Sequence, residues 1–256
     1  EPAWRSWLRP FRNRKHGDII ELETVLFGPE GARIVIANSE MVRSEIVDRY
    51  GTPPQKIHVI RNGIDLCHDD STTEVRDQVR ADLQIDPFRF VALFAGSGWA
   101  RKGLASAVTA IDRTNLAQPL LLAAGRGTLP RGVKSTRLRL LGPRRDVRSL
   151  MAAADVFILP TYYDPFSNAC IEALATGLPV LTTRRNGFSE IIEAGVEGEV
   201  FDSPQDTDTI ARALEKWAVP GRRSQIAKQL RAKGAGYNIE RNLQETLRIL
   251  QAAPLT

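Results

Sequence analysis

The chain has 256 residues, of which 43% are hydrophobic and 25% are charged, and its formal net charge is +5. This is the composition of a globular protein whose core is large enough to fold without disulfides or structural metals, as one large domain or two modest ones. Cys67 and Cys170 lie far apart without metal-type spacing, which argues against a disulfide framework and a zinc site and favours a reducing, cytoplasmic setting.

The opening stretch EPAWRSWLRPFRNRKHG mixes arginines with tryptophans and contains no apolar run. We therefore expect no secretory signal, and no stretch of the sequence is apolar and long enough to predict a transmembrane helix. Two roles fit the basic, aromatic opening: a solvated helix that packs by its aromatic face, or peripheral contact with an anionic membrane surface. Nucleic acid is not an expected partner, since no basic stripe lies on a recognisable module.

Short runs rich in Val, Ile and Leu alternate with helix-compatible stretches along the chain, which predicts a parallel α/β architecture. The first part contains two predicted strands, ARIVIAN and KIHVI, which flank a helix capped at Ser39. Asn62 and Gly63 then predict a turn. The polar stretch DLCHDDSTTEVRDQ follows, and we place a boundary within it, so that residues 1–66 form a first, small part.

After this boundary the alternation restarts and is complete enough for one doubly wound domain over residues 67–236. Its predicted strands are FRFVALFAGS, PLLLAAG, LRLLG, DVFILP, LPVLTT and GEVF. Three further helices are predicted, from Gln205 to Trp217, from Gly221 to Lys233 and from Asn238 to Gln251. The last of them falls within a separate C-terminal unit, residues 237–256.

The first turn of the complete domain reads GSGWARKG, from Gly96 to Gly103. Glycines at the carboxyl end of a strand let a ligand approach the backbone, and we expect Arg101 and Lys102 to open the next helix, with two cations beside its N-terminus. A phosphate fits such a place. The spacing is not the dinucleotide fingerprint, because Arg101 stands where a third glycine is needed. Alone, the turn is as consistent with a surface glycine turn flanked by basic residues.

The stretch YYDPFSNACIEALATGLPV contains Asp164 and, eight positions later, Glu172. Pro165, with Ser167 or Asn168 as a cap, predicts a helix that begins just after the preceding strand, with free N–H groups facing a crevice. The two carboxylates are too far apart to act on one atom, but they fit the two ends of an extended ligand such as a nucleotide diphosphate-sugar. Two solvated carboxylates stabilised by the helix dipole remain the alternative.

This stretch resembles the glutamate, seven residues, glutamate signature of retaining glycosyltransferases with the GT-B fold, family 4, whose usual form reads EGFGxxxxEAxAxGxPVxxT. Here Asp164 replaces the first glutamate. Other stretches resemble the family in the correct order, and several are especially similar to the bacterial lipopolysaccharide-core glucosyltransferases. The resemblance covers approximately Ala32 to Phe201, and its stretches are ANSE, VIRNGID, GSGWARKG, LLAAGRG, LRLLGPRRDVRSLMAAADVFILPTYYDPFSNACIEA and GFSEII.

The resemblance implies two facing Rossmann-like lobes, with the donor in the later lobe at the carboxyl ends of its strands. It implies transfer of a hexose from a nucleotide diphosphate-sugar, a UDP-sugar being favoured, to a glycan or lipid-linked acceptor, with retention of configuration and a role in lipopolysaccharide or other cell-envelope synthesis. Such an enzyme works in the cytoplasm, or peripherally at the inner face of the cell membrane. No metal or other cofactor is expected.

The family pattern assigns roles to individual residues. It implies that Arg101 and Lys102 neutralise the diphosphate leaving group, that Glu172 holds the ribose, and that Arg144 lies near the base. It implies that Asp164 and the backbone of residues 166–168 orient the sugar and the phosphate. The implied catalytic residues are Asp164, Arg101 and Lys102, and the implied donor-binding residues are Gly96, Ser97, Gly98, Arg101, Lys102, Arg144, Asp164, Phe166, Ser167, Asn168 and Glu172.

One Asp-x-Asp, Asp206 to Asp208, is of a kind that holds a divalent ion in the other glycosyltransferase fold. Here it opens a predicted helix, so we interpret it as a cap rather than a metal site. His16, His58 and His68 show no ligand spacing and are assigned no metal.

Two departures from the family pattern bear on activity. Asp164 is one methylene shorter than glutamate. In addition, the family's first lobe begins with a glycine-rich strand and turn that carry acceptor-side residues, whereas residues 1–66 resemble only the end of that lobe and residues 237–256 resemble the helix that crosses back to it. We therefore keep two hypotheses: an enzyme that is complete only with a further N-terminal lobe, and a donor-binding half that transfers nothing alone. A nicotinamide dehydrogenase is disfavoured, because the glycine fingerprint and its downstream acid are both lacking.

Overall fold

The computed structural model describes residues 14–65 and 73–252, and side chains from residue 17 onward. The basic N-terminal segment with its predicted membrane contact, the side chain of His16, and both Cys67 and His68 lie outside this description. The described residues form two compact units: residues 14–61 with 244–252, and residues 62–65 with 73–243.

The smaller unit contains a short parallel strand pair. Helix α1 (Arg14–Phe27) precedes β1 (Val35–Ala37), and α2 (Glu40–Tyr50) connects β1 to β2 (Ile57–Val59). As predicted, Ser39 caps α2, since its hydroxyl accepts a hydrogen bond from the Val42 N–H at 3.2 Å. The core of the unit consists of Val35, Ala37, Ile46 and Ile57.

Large apolar side chains are also exposed on this unit. Ile36, the central residue of β1, is 42% exposed. On α1 the exposed apolar side chains are Ile19, Ile20, Leu22, Val25 and Leu26.

The larger unit is a doubly wound domain. Its described elements, in chain order, are α3 (Thr73–Asp82), β3 (Val91–Ala95), α4 (Trp99–Lys102), α5 (Leu104–Arg113), β4 (Leu120–Ala124), β5 (Leu138–Gly142), α6 (Val147–Ala153), β6 (Val156–Leu159), α7 (Asn168–Ala175), β7 (Val180–Thr183), β8 (Gly198–Phe201), α8 (Thr207–Trp217) and α9 (Arg222–Ala235). The last helix, α10 (Ile239–Ala252), has residues in both units. Each predicted strand is present.

The six strands that the structure describes in this unit are all parallel, in the order β5-β4-β3-β6-β7-β8. Every residue of β3, β4, β6 and β7 is buried, because helices cover both faces of a parallel sheet. The chain leaves β3 toward β4 on one side and leaves β6 toward β7 on the other. The carboxyl ends of β3 and β6 therefore flank the topological switch point, where ligands bind in this architecture.

Helix α3 occupies part of the stretch that the sequence predicts as a polar boundary. Arginines fix the helix together with Val79, which packs against the core: Arg76 and Arg80 both pair with Asp155, at 2.6 and 3.0 Å. Arg76 also donates to the carbonyls that end α6, and Arg223 of α9 donates to two of them. Burial lowers the pKa of Arg223 to about 10. This cluster precedes β6, so it lies at the amino ends of the strands and stabilises the domain.

Candidate functional site

The loop after β3 begins with Gly96, whose backbone φ is 151°. A Cβ at this position would lie 2.8 Å from Cδ of Lys102, so the lysine stem crosses directly over the glycine. Gly98 has φ 77° and its N–H donates to the Arg126 carbonyl at 2.8 Å, while Ser97 between the two glycines is exposed. The absence of a side chain at Gly96 therefore leaves room for the Lys102 side chain to pack against the end of β3.

The prediction that Arg101 and Lys102 open a helix is wrong. They form the last turn of α4, which ends at Gly103 with φ 79° before α5 begins. The break has a steric cause, because a Cβ at Gly103 would lie only 1.9 Å from the Pro160 carbonyl oxygen. This close approach brings α4 against the loop after β6, where the Arg101 carbonyl accepts a hydrogen bond from the Tyr162 N–H at 2.9 Å.

Both cations meet Asp164 at the carboxyl end of β6. The Lys102 ammonium lies 3.1 Å from Oδ2 of Asp164, and an Arg101 guanidinium nitrogen lies 3.8 Å from the same oxygen. The Asp164 side chain is 9% exposed and that of Lys102 is 15% exposed, whereas Arg101 is 49% exposed. No donor among the described residues is aligned for a hydrogen bond to Oδ2, so the contact is one of charge. Two cations against one carboxylate leave a net positive charge in the crevice.

Helix α7 begins close by in the chain, four residues after Asp164. Ser167 occupies the N-cap, as the sequence predicts, but its side chain makes no capping hydrogen bond and its N–H donates to Oδ1 of Asn186 at 3.2 Å. The first-turn N–H groups of Asn168 and Ala169 have no acceptor among the described residues. Free amide donors at a helix N-terminus bind anions.

The side chains around this start are held in place. The Phe166 ring is buried, with its centroid 6.3 Å from that of Phe188, so only its backbone is available to a ligand. Nδ2 of Asn62, in the predicted turn, donates to Oδ1 of Asn168 at 2.8 Å and to the Phe166 carbonyl at 3.3 Å. Sequence reasoning gives Asn62 no part in the site, although its Asn-Gly turn is visible in the sequence.

Glu172 lies just over one turn inside α7 and is half-buried. The described residues offer its carboxylate no hydrogen bond and no ion pair. Burial raises the pKa of Glu172, an effect that the charge of nearby Arg148 opposes. Arg148, which sequence reasoning also missed, is the second residue of α6 and donates to the Asp65 carbonyl. A half-buried carboxylate without a partner is suited to accept hydrogen bonds from ligand hydroxyls.

Arg144, predicted to lie near a base, is in the loop between β5 and α6. It forms a two-pronged hydrogen bond with Asp146, at 2.8 and 2.6 Å, and the two side chains are 37% and 42% exposed. The hydrogen bond from Arg144 lowers the pKa of Asp146. The Arg144 guanidinium is thus bound to Asp146, and no described contact joins it to Lys102 or Asp164.

The Asp-x-Asp stretch acts as a cap, as predicted. Oδ1 of Asp206 accepts from the Thr209 N–H at 3.1 Å, and Asp208 pairs with Arg113 at 2.9 Å. Across residues 14–65 and 73–252, no group of His, Cys, Asp and Glu side chains is arranged to hold a metal ion. Over the same residues, no helix combines the length and the apolar character that crossing a membrane requires.

Two fully buried residues, Cys170 and Asn186, lie beside the start of α7. Cys170, in its first turn, lies beside the Ser167 hydroxyl and 3.4 Å from Nδ2 of Asn186. Burial raises the pKa of the Cys170 thiol to about 12. Asn186, which sequence reasoning missed, is fully buried just after β7. Its position inside a glycine-bearing loop gives no signal in the sequence.

Comparison with known families matches residues 89–218, just over half of the chain, to a family model described as Glycosyl transferases group 1. Residues 4–67 match a second model, Glycosyltransferase Family 4. Over 81% of its length the chain is 28% identical to an alpha-maltose-1-phosphate synthase of Mycobacterium tuberculosis. Over 71% of its length it is 29% identical to a UDP-Gal:alpha-D-GlcNAc-diphosphoundecaprenol alpha-1,3-galactosyltransferase of Escherichia coli. The chain spans 59% and 50% of the lengths of these two curated relatives.

Solved structures with the same fold include Anabaena HepE in complex with UDP-glucose, with a TM-score of 0.80 and 21% identity over 94% of this chain and 70% of the other. WaaG, a glycosyltransferase involved in lipopolysaccharide biosynthesis, gives a TM-score of 0.80 and 22% identity over 94% of this chain and 69% of the other. These similarities confirm the predicted α/β fold of GT-B type.

Proposed function

This chain belongs to the family of group 1 glycosyl transferases, and from that premise we propose that it moves a hexose from a nucleotide diphosphate-sugar to a glycan or lipid-linked acceptor, with retention of configuration. The favoured donor is a UDP-sugar, since the structural neighbour HepE was solved with UDP-glucose. One observation carries the proposal: at the switch point, Arg101 and Lys102 both contact Asp164, and four residues later α7 begins with N–H groups that have no acceptor among the described residues.

The donor is placed along this crevice by charge and by hydrogen-bonding capacity. The diphosphate lies between the two cations and the N–H groups of Asn168 and Ala169, which supply the donors that phosphate oxygens require. Glu172, one turn further along the helix, accepts hydrogen bonds from the ribose hydroxyls. Asp164 lies on the sugar side.

Breaking the bond between the sugar and the phosphate sends an electron pair to the diphosphate and leaves positive charge on the anomeric carbon. The cations and amide donors are already in position to stabilise that leaving group, so no reorganisation is needed as the charge develops. The acceptor hydroxyl forms the new bond at the anomeric carbon and passes its proton to the departing diphosphate, which has gained the electron pair of the broken bond. In this proposal the protein's own groups carry the leaving-group charge, so no metal ion is required.

Lys102 has two partners in this scheme. Its ammonium lies 3.1 Å from Oδ2 of Asp164. An entering diphosphate competes with that carboxylate for the ammonium. The shorter aspartate side chain thus tunes how strongly the site binds a leaving group, in addition to any contact that it makes with the sugar.

Two relatives, rather than residues of the site, support the proposed acceptor class. The Escherichia coli relative acts on a diphosphoundecaprenol-linked sugar, and WaaG is involved in lipopolysaccharide biosynthesis. We therefore place the reaction in cell-envelope polysaccharide synthesis, in the cytoplasm or peripherally at the inner face of the membrane.

A second candidate function is a donor-binding module. The chain spans 59% and 50% of the lengths of the two curated relatives, and in this alternative residues 67–236 bind the nucleotide sugar while this chain alone transfers nothing.

Calorimetric titration of the purified chain with UDP-glucose, UDP-galactose and ADP-glucose tests the donor site, and a radiolabel assay with a lipid-linked acceptor tests transfer. Binding with transfer supports the enzyme, binding without transfer supports the donor-binding half, and the absence of binding to any nucleotide sugar refutes both. Arg101→Ala should weaken binding. Arg113→Ala is the matched control, because both arginine side chains are 49% exposed and Arg113 pairs with Asp208 on α8.

A further inference from the structure

The side-chain amide of Asn186 joins two loops at the crevice. The residue is completely buried, and its Oδ1 accepts hydrogen bonds from the N–H groups of Ser167 and Phe188, both at 3.2 Å. Its Nδ2 donates to Oγ1 of Thr182 at 3.0 Å and contacts Sγ of Cys170 at 3.4 Å. One amide therefore uses both its donor and its acceptor capacity to hold the start of α7 against the end of β7.

The backbone beside Asn186 fixes the other end of the same segment. The Asp164 N–H donates to the Arg185 carbonyl at 2.9 Å, and the Gly187 N–H donates to the Asp164 carbonyl at 3.0 Å. Residues 164–167, which connect β6 to α7, are thus tied at both ends to residues 185–187. Asn186 provides the side chain of this connection.

The connection also determines which amide groups remain available. Four N–H groups at a helix start lack a partner within the helix. Because Ser167 gives its N–H to Asn186, a ligand meets the N–H groups of Asn168 and Ala169 instead. The direction of those two donors depends on where Ser167 is held.

We propose that Asn186 is a positioning residue for the donor's phosphates, acting through the backbone of Ser167 to aim the first-turn amides of α7. The proposal rests on the proposed function, because it requires a diphosphate at this helix start. It assigns no contact between Asn186 and the ligand, since the amide is buried and its hydrogen-bonding groups are already used.

Two variants separate this role from a purely structural one. Asn186→Ala removes the acceptor of the Ser167 N–H. Thr114→Val removes a buried hydroxyl at the end of α5, which donates to the Ile111 carbonyl at 2.8 Å, and leaves every hydrogen bond of Asn186 in place. Both are expected to lower thermal stability, because each removes a buried hydrogen-bonding group.

Binding distinguishes the two. Asn186→Ala should weaken UDP binding about tenfold, the size of one misplaced charge-assisted hydrogen bond, and leave the weak binding of uridine within about twofold. Uridine lacks phosphates, and Glu172 keeps its place because buried neighbours in α7 anchor it. Thr114→Val should leave the UDP affinity unchanged. Equal losses for UDP and uridine, or equal losses in the two variants, would overturn the proposal.

A measurement on the unmodified chain covers the case in which Asn186→Ala fails to fold. Amide hydrogen exchange followed by NMR should show the Ser167 N–H protected in the ligand-free protein and those of Asn168 and Ala169 unprotected until UDP is added. Exchange of Ser167 as fast as that of Asn168 overturns the positioning role. If no nucleotide protects any of the three amides, both the proposed function and this role are refuted. If the Asn186→Ala variant binds UDP as tightly as the unmodified chain, the role of Asn186 alone is refuted.

Discussion

Replacement of Lys102 by alanine should weaken binding of UDP or a UDP-sugar by at least about tenfold. The Lys102 side chain is only 15% exposed and its ammonium lies beside Asp164 after β6, and a charge-assisted contact in such a partly buried place contributes about 1.5–3 kcal/mol, equivalent to roughly ten- to hundredfold in Kd. The variant has a second effect, because it leaves Asp164, itself 9% exposed, with Arg101 as its described cationic contact, at 3.8 Å. The carboxylate then repels the diphosphate.

This second effect makes the prediction specific. The double variant Lys102→Ala with Asp164→Asn should bind UDP more tightly than Lys102→Ala alone, by roughly threefold or more, because contacting residues couple by 0.5–3 kcal/mol. Isothermal titration of the four proteins of the cycle gives the coupling directly. Lys216→Ala is the control, since Lys216 pairs with Glu199 in another part of the domain. Additive effects, or a Lys102→Ala variant with unchanged affinity, would refute the reasoning.

The other predictions concern ionisation, stability and capping. Glu172 is proposed to bind ribose in its ionised form, and burial raises its pKa. The affinity for UDP-glucose should therefore be full above that raised pKa and fall as pH decreases through it, starting at a higher pH than an exposed glutamate would give. The affinity of Glu172→Gln should not change over this range, and a parallel decline in both proteins would contradict the assignment. Asp155→Ala should lower the free energy of unfolding in urea by about 3–5 kcal/mol, since it strands the buried Arg80 beside Arg76, whereas loss of the exposed Asp202 should cost under about 1 kcal/mol. Asp206→Ala should cost about 1 kcal/mol through the lost cap and leave donor binding unchanged, and EDTA should not reduce transfer.

The strands could be predicted from the sequence because strands buried on both faces, such as β3 and β6, are nearly continuous apolar runs. Helix α3 could not, because beside Val79 its inward contacts are made by Arg76 and Arg80, and a hydrophobic pattern does not register arginines. The break at Gly103 was missed for a related reason. Its cause is the Pro160 carbonyl, which is distant in sequence and close only in the folded chain.

The candidate site divides in the same way. Residues that present charge to a ligand, such as Lys102 and Glu172, stand out because their type and spacing fit an expected chemistry. Residues that hold the site together, such as Asn62, Arg148 and Asn186, do not, since a buried or half-buried hydrogen bond is defined by its partner and the partner is unknown until the chain is folded.

The reactivity of the buried Cys170 thiol reports on whether α7 is packed against the sheet. An alkylating reagent needs an accessible thiolate, and this sulfur is neither accessible nor readily ionised while α7 is packed. Its labelling rate, followed by peptide mass spectrometry, therefore reports how often α7 separates transiently from the sheet. A molecule that binds at the amino end of α7 should lower the labelling rate of Cys170 in proportion to its occupancy, even if it is not a substrate for transfer.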